Sequence, residues 1–110
     1  MSFDTAIESA TRDHKALYEI DPQNQPEMQK ALGLFKSSMD NLSKAVAERA
    51  FQDGRSKRKQ WGEIQKQLTD LSDDGRELAE REEPVDAEMA AKIDVRYQRI
   101  HSRLVNLGGS

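Results

Sequence analysis

The sequence contains no cysteine, and it has only three prolines and six aromatic residues in 110 positions. Without cysteine the chain can form no disulfide, no thiol nucleophile and no cysteine-ligated zinc or iron–sulfur site. No stretch of about eighteen apolar residues is present, so the sequence predicts no membrane-spanning helix. Residues 1–4 lack the basic and apolar regions of a signal peptide. We therefore expect a cytoplasmic protein.

Large apolar side chains are also scarce. Leu, Ile, Val and Phe together account for 21 of the 110 residues, while 34% of the residues are charged. The formal net charge is only −3, so charge repulsion does not prevent folding. The length and this composition predict one helical domain over residues 1–107, with residues 108–110 as a frayed C-terminal tail.

Apolar residues recur at alternating steps of four and three in four segments, whereas alternation typical of a β-strand is absent. This spacing keeps one stripe of a helix turned towards a partner. The first segment predicts a helix over residues 4–20. The four stripes are Phe3, Ile7, Ala10, His14 and Leu17; Met28, Leu32, Phe35, Met39, Leu42 and Val46; Trp61, Ile64, Leu68, Leu71, Gly75 and Leu78; and Met89, Ile93, Tyr97, Ile100, Leu104 and Leu107.

Breaks between the stripes set the expected helix boundaries. Pro22 stops the first helix, and Pro26 suits the first turn of the second helix, where its missing N–H costs nothing. The apolar pattern fails over residues 52–60, and Asp53-Gly54 suits a turn, so we expect a break near residues 52–56. The alternative is one long helix from Pro26 to Glu82.

The end of the third helix and both ends of the fourth carry their own signals. The third helix is expected to end at Glu82-Glu83-Pro84. Asp86 is a good N-cap for the fourth helix, and Gly108 lies where a left-handed C-cap residue is favoured. Within the third helix, Gly75 indicates either a close approach of another helix or a kink.

Four amphipathic segments with short connections predict an all-α fold. We expect an elongated antiparallel helical bundle of four helices, or of three helices if the central helix is continuous.

The chain offers little for catalysis. His14 lies on a stripe, where it is expected to be a partly buried histidine or a proton sensor, and His101 is expected at the surface. No zinc, di-iron, nucleotide or dinucleotide motif is present. Asp70 to Gly75 resembles a calcium loop, but position twelve of such a loop would be Arg81 instead of a glutamate. We therefore expect no enzyme activity, no cofactor, no metal and no small-molecule substrate.

Charge is distributed unevenly along the chain. Residues 51–69 contain five basic and two acidic residues, residues 70–90 contain two basic and nine acidic residues, and residues 91–110 contain four basic and one acidic residue. An antiparallel hairpin of the last two helices brings the two basic blocks towards one end. The candidate partner-binding basic end consists of Arg55, Lys57, Arg58, Lys59, Arg96, Arg99 and Arg103.

Several interpretations of these basic residues remain open. Bases late in the fourth helix complement its dipole, but the bases that open the third helix are electrostatically unfavourable there. They are solvated charges, or they bind an acidic protein face, a nucleic acid or a membrane surface. The row formed by Lys92, Arg96, Arg99 and Arg103 indicates salt bridges to a neighbouring helix, within the chain or between chains.

The scarcity of apolar residues leads to the functional prediction. Burial of a thin core barely offsets the cost of ordering the chain, so self-association or a partner would add stability. We expect a non-enzymatic helical protein–protein interaction module, acting as a self-associating subunit, with a dimer favoured, or as an adaptor or chaperone-like component. The alternative is a small nucleic-acid-associated regulator that uses the basic end. The candidate shared apolar seam consists of Leu32, Phe35, Met39, Leu42, Trp61, Ile64, Tyr97, Ile100 and Leu104.

Overall fold

Four α-helices account for nearly all of the described chain. The computed structural model describes residues 2–21, 23–81 and 84–108, apart from the side chain of Ser56. The helices are α1 (Phe3–Leu17), α2 (Gln25–Asp53), α3 (Arg55–Glu80) and α4 (Ala87–Gly108). The described residues contain no strand. The predicted all-α fold with four helices is confirmed.

Polar side chains cap three of the helix starts. Ser2 accepts a hydrogen bond from the backbone N–H of Thr5 at 3.2 Å, and Asn24 accepts one from Glu27 at 3.5 Å. Asp86 accepts from the N–H of Met89 at 2.8 Å, as the N-cap prediction requires. These contacts satisfy first-turn amides that have no intrahelical acceptor.

Gly54 separates α2 from α3. Its φ of 81° lies in the left-handed region, which glycine adopts without the steric cost that a Cβ imposes. The predicted break near residues 52–56 is therefore confirmed, and the alternative of one continuous helix from Pro26 to Glu82 is wrong.

Other helix ends differ from the predicted ones. Helix α1 ends at Leu17 and not at residue 20, since the backbone turns at Tyr18. Helix α3 ends at Glu80, two residues before the expected end, while the prediction for Glu82 and Glu83 lies outside the described residues. Pro22 also lies outside them.

Gly108 is the clearest correction at a helix end. It belongs to α4 and does not have positive φ, so the predicted left-handed C-cap is wrong. A Cβ at Gly108 would lie 2.9 Å from Cε1 of Phe3 and 3.3 Å from Cη2 of Trp61. A glycine is therefore favoured here because the neighbouring rings leave no room for a side chain, and not because the backbone is left-handed. Residues 109 and 110 of the predicted tail lie outside the described residues.

Gly75 lies within the continuous helix α3 and is buried. A Cβ placed on it would meet Cδ1 of Phe35 at 3.4 Å and the carbonyl oxygen of Leu32 at 3.8 Å. The structure thus supports close approach of α2 at this position, and α3 does not break here.

The bundle is elongated, with extents of 45 × 22 × 20 Å. Its core is formed by the apolar stripes of all four helices, and each of the nine residues of the predicted seam is at most 2% exposed. A second copy could share this seam only if the bundle opened. No described helix combines the length and apolar character needed to cross a membrane.

Candidate functional site

The end of the bundle where α1 and α3 begin, and where α2 and α4 end, is organised around Trp61. We call it the basic end. The Trp61 ring is fully buried and contacts the Phe3 ring edge-on, with 5.7 Å between the ring centroids. Its Nε1 donates a hydrogen bond to Oδ2 of Asp53 at 2.9 Å. Because the ring also lies against Gly108, this one side chain on α3 connects to α1, α2 and α4.

Two basic side chains of this end bind the last carbonyl groups of α4. Arg49 donates to the carbonyl of Gly108 at 3.1 Å, and Lys57 donates to the carbonyl of Leu107 at 3.4 Å. Arg49 also lies over the Phe3 ring, 5.3 Å from its centroid. Terminal carbonyls of a helix have no intrahelical donor, and cations there are favoured by the helix dipole. Lys57 is thus part of the internal packing.

Three other bases of the predicted basic end remain available. Arg55, Arg58 and Lys59 are exposed and have neither an ion pair nor a side-chain hydrogen bond in the described part of the chain. Phe51, four residues before Arg55 across the Gly54 turn, is 82% exposed. We call Phe51, Arg55, Arg58 and Lys59 the cationic tip. Glu48, an exposed acid nearby, lines a groove towards α1.

The basic residues of α4 lie along its length, and only Arg103 is near the basic end. Arg103 pairs with Glu63 of α3 at 3.0 Å, while Arg96 pairs with Asp74 further along the bundle. Two members of the predicted salt-bridge row, Arg96 and Arg103, therefore pair with a neighbouring helix of the same chain. Arg99 is exposed and has no ion pair among the described residues.

A second concave region lies between α1 and α4, in the half of the bundle away from Trp61. Its floor is a row of rings, of which His14 and Tyr97 stack with centroids 4.3 Å apart and an interplanar angle of 19°. Tyr18 lies 5.1 Å from His14 on one side, and His101 lies 6.0 Å from Tyr97 on the other. We call this region the aromatic groove. It encloses about 400 Å³.

Polar contacts bridge α1 and α4 across the groove. The hydroxyls of Thr11 and Tyr97 are hydrogen-bonded at 3.0 Å, and the Tyr18 hydroxyl donates to the carbonyl of Ala90 at 2.7 Å. Burial raises the pKa of Tyr18 to about 12, with a smaller contribution from the carboxylate of Asp94. The Tyr18 hydroxyl is therefore a neutral donor at physiological pH.

His14 is the buried titratable group of the groove. Its Nε2 lies 3.2 Å from Oδ1 of Asp94, but the geometry is not that of a hydrogen bond, and this nitrogen has no hydrogen-bond partner. Burial lowers the pKa of His14, although Asp94 acts in the opposite direction. Burial outweighs Asp94 because the Asp94 carboxylate is 45% exposed and water screens its charge. The imidazole is thus uncharged at neutral pH.

Sequence reasoning missed the groove and the exposed ring of Phe51. The signal for the groove was present, since His14 and Tyr97 occupy stripe positions on the first and last helices. Two polar rings at stripe positions indicate a less apolar contact than leucines would form. Phe51 had no comparable signal, because it continues no stripe.

The described residues contain no group of three or more His, Asp or Glu side chains arranged to hold a metal ion. No family model, characterised protein or solved structure significantly matches the chain. A functional proposal for this chain therefore rests on its own residues and geometry.

Proposed function

We propose that this chain is a non-enzymatic helical interaction module that binds an acidic surface of a partner protein through the cationic tip. The observation that carries the proposal is that neighbouring bases differ in whether they have a partner within the chain. Arg49 and Lys57 bind the end of α4, whereas Arg55, Arg58 and Lys59 have no partner in the described chain.

The chemistry of the tip suits a protein interface. Positive charge at the start of α3 opposes the helix dipole, so these bases carry a cost in the free chain that an acidic partner would remove. Arginine and aromatic residues are enriched in protein interfaces, and the exposed ring of Phe51 offers apolar area for such a contact. Charge complementarity would speed association and set specificity. In this role the chain acts as an adaptor or as a subunit of an assembly.

Charge reversal tests the use of the tip. A fluorescent acidic peptide containing leucine is titrated with the protein, and binding is followed by fluorescence anisotropy. The variant Arg55→Glu/Arg58→Glu/Lys59→Glu is expected to weaken binding at least about a hundredfold, since several charge contacts reverse sign.

The matched control is Lys30→Glu/Lys66→Glu/Arg99→Glu. These residues are also exposed and unpaired among the described residues, and their reversal changes the net charge equally. The control is expected to retain binding within about threefold. Equal losses in the two variants would show that net charge and not the tip governs binding, and would overturn the proposal.

A second candidate function is binding of single-stranded nucleic acid. Phe51 favours it, because an exposed ring four residues before the unpaired Arg55 could stack on a base while the cations contact phosphates. The net charge of −3 opposes it. An unstructured oligonucleotide in the same titration distinguishes the two. Tighter binding to the oligonucleotide, with a steep fall as salt rises and a loss in Phe51→Ser, would favour nucleic acid.

Self-association is a further form of the proposed assembly role. The seam that would mediate it is buried in one chain, so a dimer would need either an opened bundle or another surface. Light scattering over a range of protein concentrations measures the oligomeric state. A monomer at every concentration would rule out self-association, and binding to a different protein would be the remaining form of the proposal.

A further inference from the structure

We infer that the aromatic groove between α1 and α4 binds an organic cation, namely an alkylammonium or guanidinium group. The inference is independent of the proposed function, because the groove lies in the other half of the bundle from the cationic tip and is built from different residues.

The accessible tyrosine ring of the groove is Tyr18, which lies at one end of a row of packed rings. Tyr18, His14, Tyr97 and His101 follow one another with centroid distances of 5.1, 4.3 and 6.0 Å. Tyr97 is almost fully buried and fixes the floor, while the Tyr18 ring is 44% exposed and forms an accessible wall. The face of a tyrosine ring carries partial negative charge and attracts cations within about 6 Å of the ring centroid.

The rim supplies a carboxylate without a counter-charge. Asp94 is 45% exposed, and its one ion contact in the described structure is with His14. Because burial lowers the pKa of His14, this neighbour is uncharged at neutral pH and leaves the negative charge unbalanced. A cation seated at Asp94 would restore the balance.

The remaining charge at the groove does not oppose a cation strongly. Lys15 is the one lysine or arginine among the lining residues. Its side chain is 78% exposed and lies 3.9 Å from Glu19 one turn later, so its charge is solvated and partly paired. An anionic ligand would be repelled by Asp94 and by the face of the Tyr18 ring, so the groove favours the opposite sign.

Choline is a direct probe of the groove. Its matched control is the neutral alcohol in which a tert-butyl group replaces the trimethylammonium head, since the two molecules have nearly the same shape. Binding is measured by NMR, from the backbone amide signals of residues 11–18 and 94–101. We expect saturable shifts in these two segments with choline and at least about tenfold weaker binding of the neutral alcohol.

Two variants test the named contacts. Asp94→Asn removes the charge and keeps the side-chain shape, and Tyr18→Leu removes the ring and keeps apolar volume. Each is expected to weaken choline binding about tenfold. Asp73→Asn is the matched control, because Asp73 is an exposed carboxylate on α3 outside the groove, and it is expected to leave the affinity unchanged. An amide spectrum with native dispersion confirms that each variant is folded.

The source of the cation is resolved by a second titration. One peptide carries a lysine, and another carries a trimethylated lysine. Tighter binding of either peptide than of choline identifies a partner's side chain as the occupant, whereas tighter choline binding identifies a small amine. Absence of local shifts with all three probes, or equal binding of choline and its neutral counterpart, would overturn the inference.

Discussion

The two halves of the bundle close in different ways. At the basic end, the buried ring of Trp61 contacts Phe3 and Gly108 and is hydrogen-bonded to Asp53, so all four helices meet around one side chain. In the other half, α1 and α4 meet through rings and hydroxyls, of which the stacked pair of His14 and Tyr97 is the centre.

This difference shows that the same spacing of stripe residues gives different packing according to chemistry. Where the stripes carry large apolar groups and a glycine opposite them, the Trp61 ring fills the space between α1, α3 and α4. Where the stripes of α1 and α4 carry a histidine and a tyrosine, the two rings stack, the Tyr97 hydroxyl is hydrogen-bonded to Thr11, and a groove of about 400 Å³ remains. The first half is centred on a fully buried ring, whereas the second contains the groove proposed here as a cation site.

The largest expected effect comes from disrupting the packing around Trp61 at the basic end. Trp61→Ala removes a fully buried ring that contacts three other helices and is expected to lower the free energy of unfolding by about 3–5 kcal/mol. Urea denaturation followed by far-UV circular dichroism measures the change. Trp61→Phe keeps an apolar ring and should lower the free energy of unfolding clearly less than Trp61→Ala does. A loss below about 1 kcal/mol in Trp61→Ala would contradict the central role of this residue.

A smaller effect is expected where α2 and α3 approach closely. Gly75→Leu places a branched side chain against Phe35, whose ring lies 6.3 Å from both His14 and Tyr97. The crowding is expected to cost about 1–3 kcal/mol of unfolding free energy.

Gly33→Leu on α2 is the control for Gly75→Leu, because no atom lies within 4 Å of a Cβ at Gly33. This substitution is expected to be neutral or stabilising, since leucine has a higher helix propensity than glycine. Equal costs in the two variants, measured by thermal unfolding, would argue against close helix approach at Gly75.

The aromatic groove is expected to make stability depend on pH. Burial holds the pKa of His14 in the folded chain below its usual value of 6.5, so the unfolded chain takes up the proton first as the pH falls. The stability contributed by neutral His14 is complete above that value and is lost as the pH falls towards the folded pKa.

His14→Leu removes the titrating imidazole, so it tests whether the pH dependence of stability comes from the aromatic groove. Replacement of an imidazole whose Nε2 lacks a hydrogen bond should change stability at neutral pH by less than about 1 kcal/mol, and stability should fall less on acidification. Urea denaturation at several pH values between about 7.5 and 5 measures both, and NMR titration of the His14 ring gives its pKa. A His14 pKa above 6.5 would reverse the predicted sign.

The smallest effect is expected at the exposed α3–α4 contacts. Arg103→Gln removes the ion pair with Glu63, whose side chain is 53% exposed, and is expected to cost less than about 1 kcal/mol. Added salt should reduce the difference from the unmodified chain. A loss larger than that of Gly75→Leu, with both variants also measured by urea denaturation, would show that charge contacts contribute more than packing does.

Much of this fold could be predicted from the sequence, because helix stripes and turn residues are local signals. The break at Gly54 followed from a run without apolar residues and an Asp-Gly pair, and the Asp86 N-cap followed from residue type. Gly108 was misinterpreted, since a glycine at a helix end has two physical explanations. Only the position of Phe3, more than 100 residues earlier, decides that packing and not backbone conformation applies.

The candidate sites were less predictable for the same reason. The sequence placed Arg55, Lys57, Arg58 and Lys59 together, but it could not show that Lys57 binds the carbonyl of Leu107 while its neighbours remain unpaired. Which base is free depends on where a distant helix ends, and that is set by tertiary packing.

The contacts of Arg49 and Lys57 with the last carbonyls of α4 link the docking of that helix to the electrostatic character of the basic end. Displacement of α4 would free Lys57 and add it to the three bases already unpaired at the tip, while Arg49 would keep its ion pair with Asp53 at 3.5 Å. Any ligand or partner that loosens α4 would thereby strengthen the attraction of this end for anions, and an anion bound there would in turn favour release of the helix.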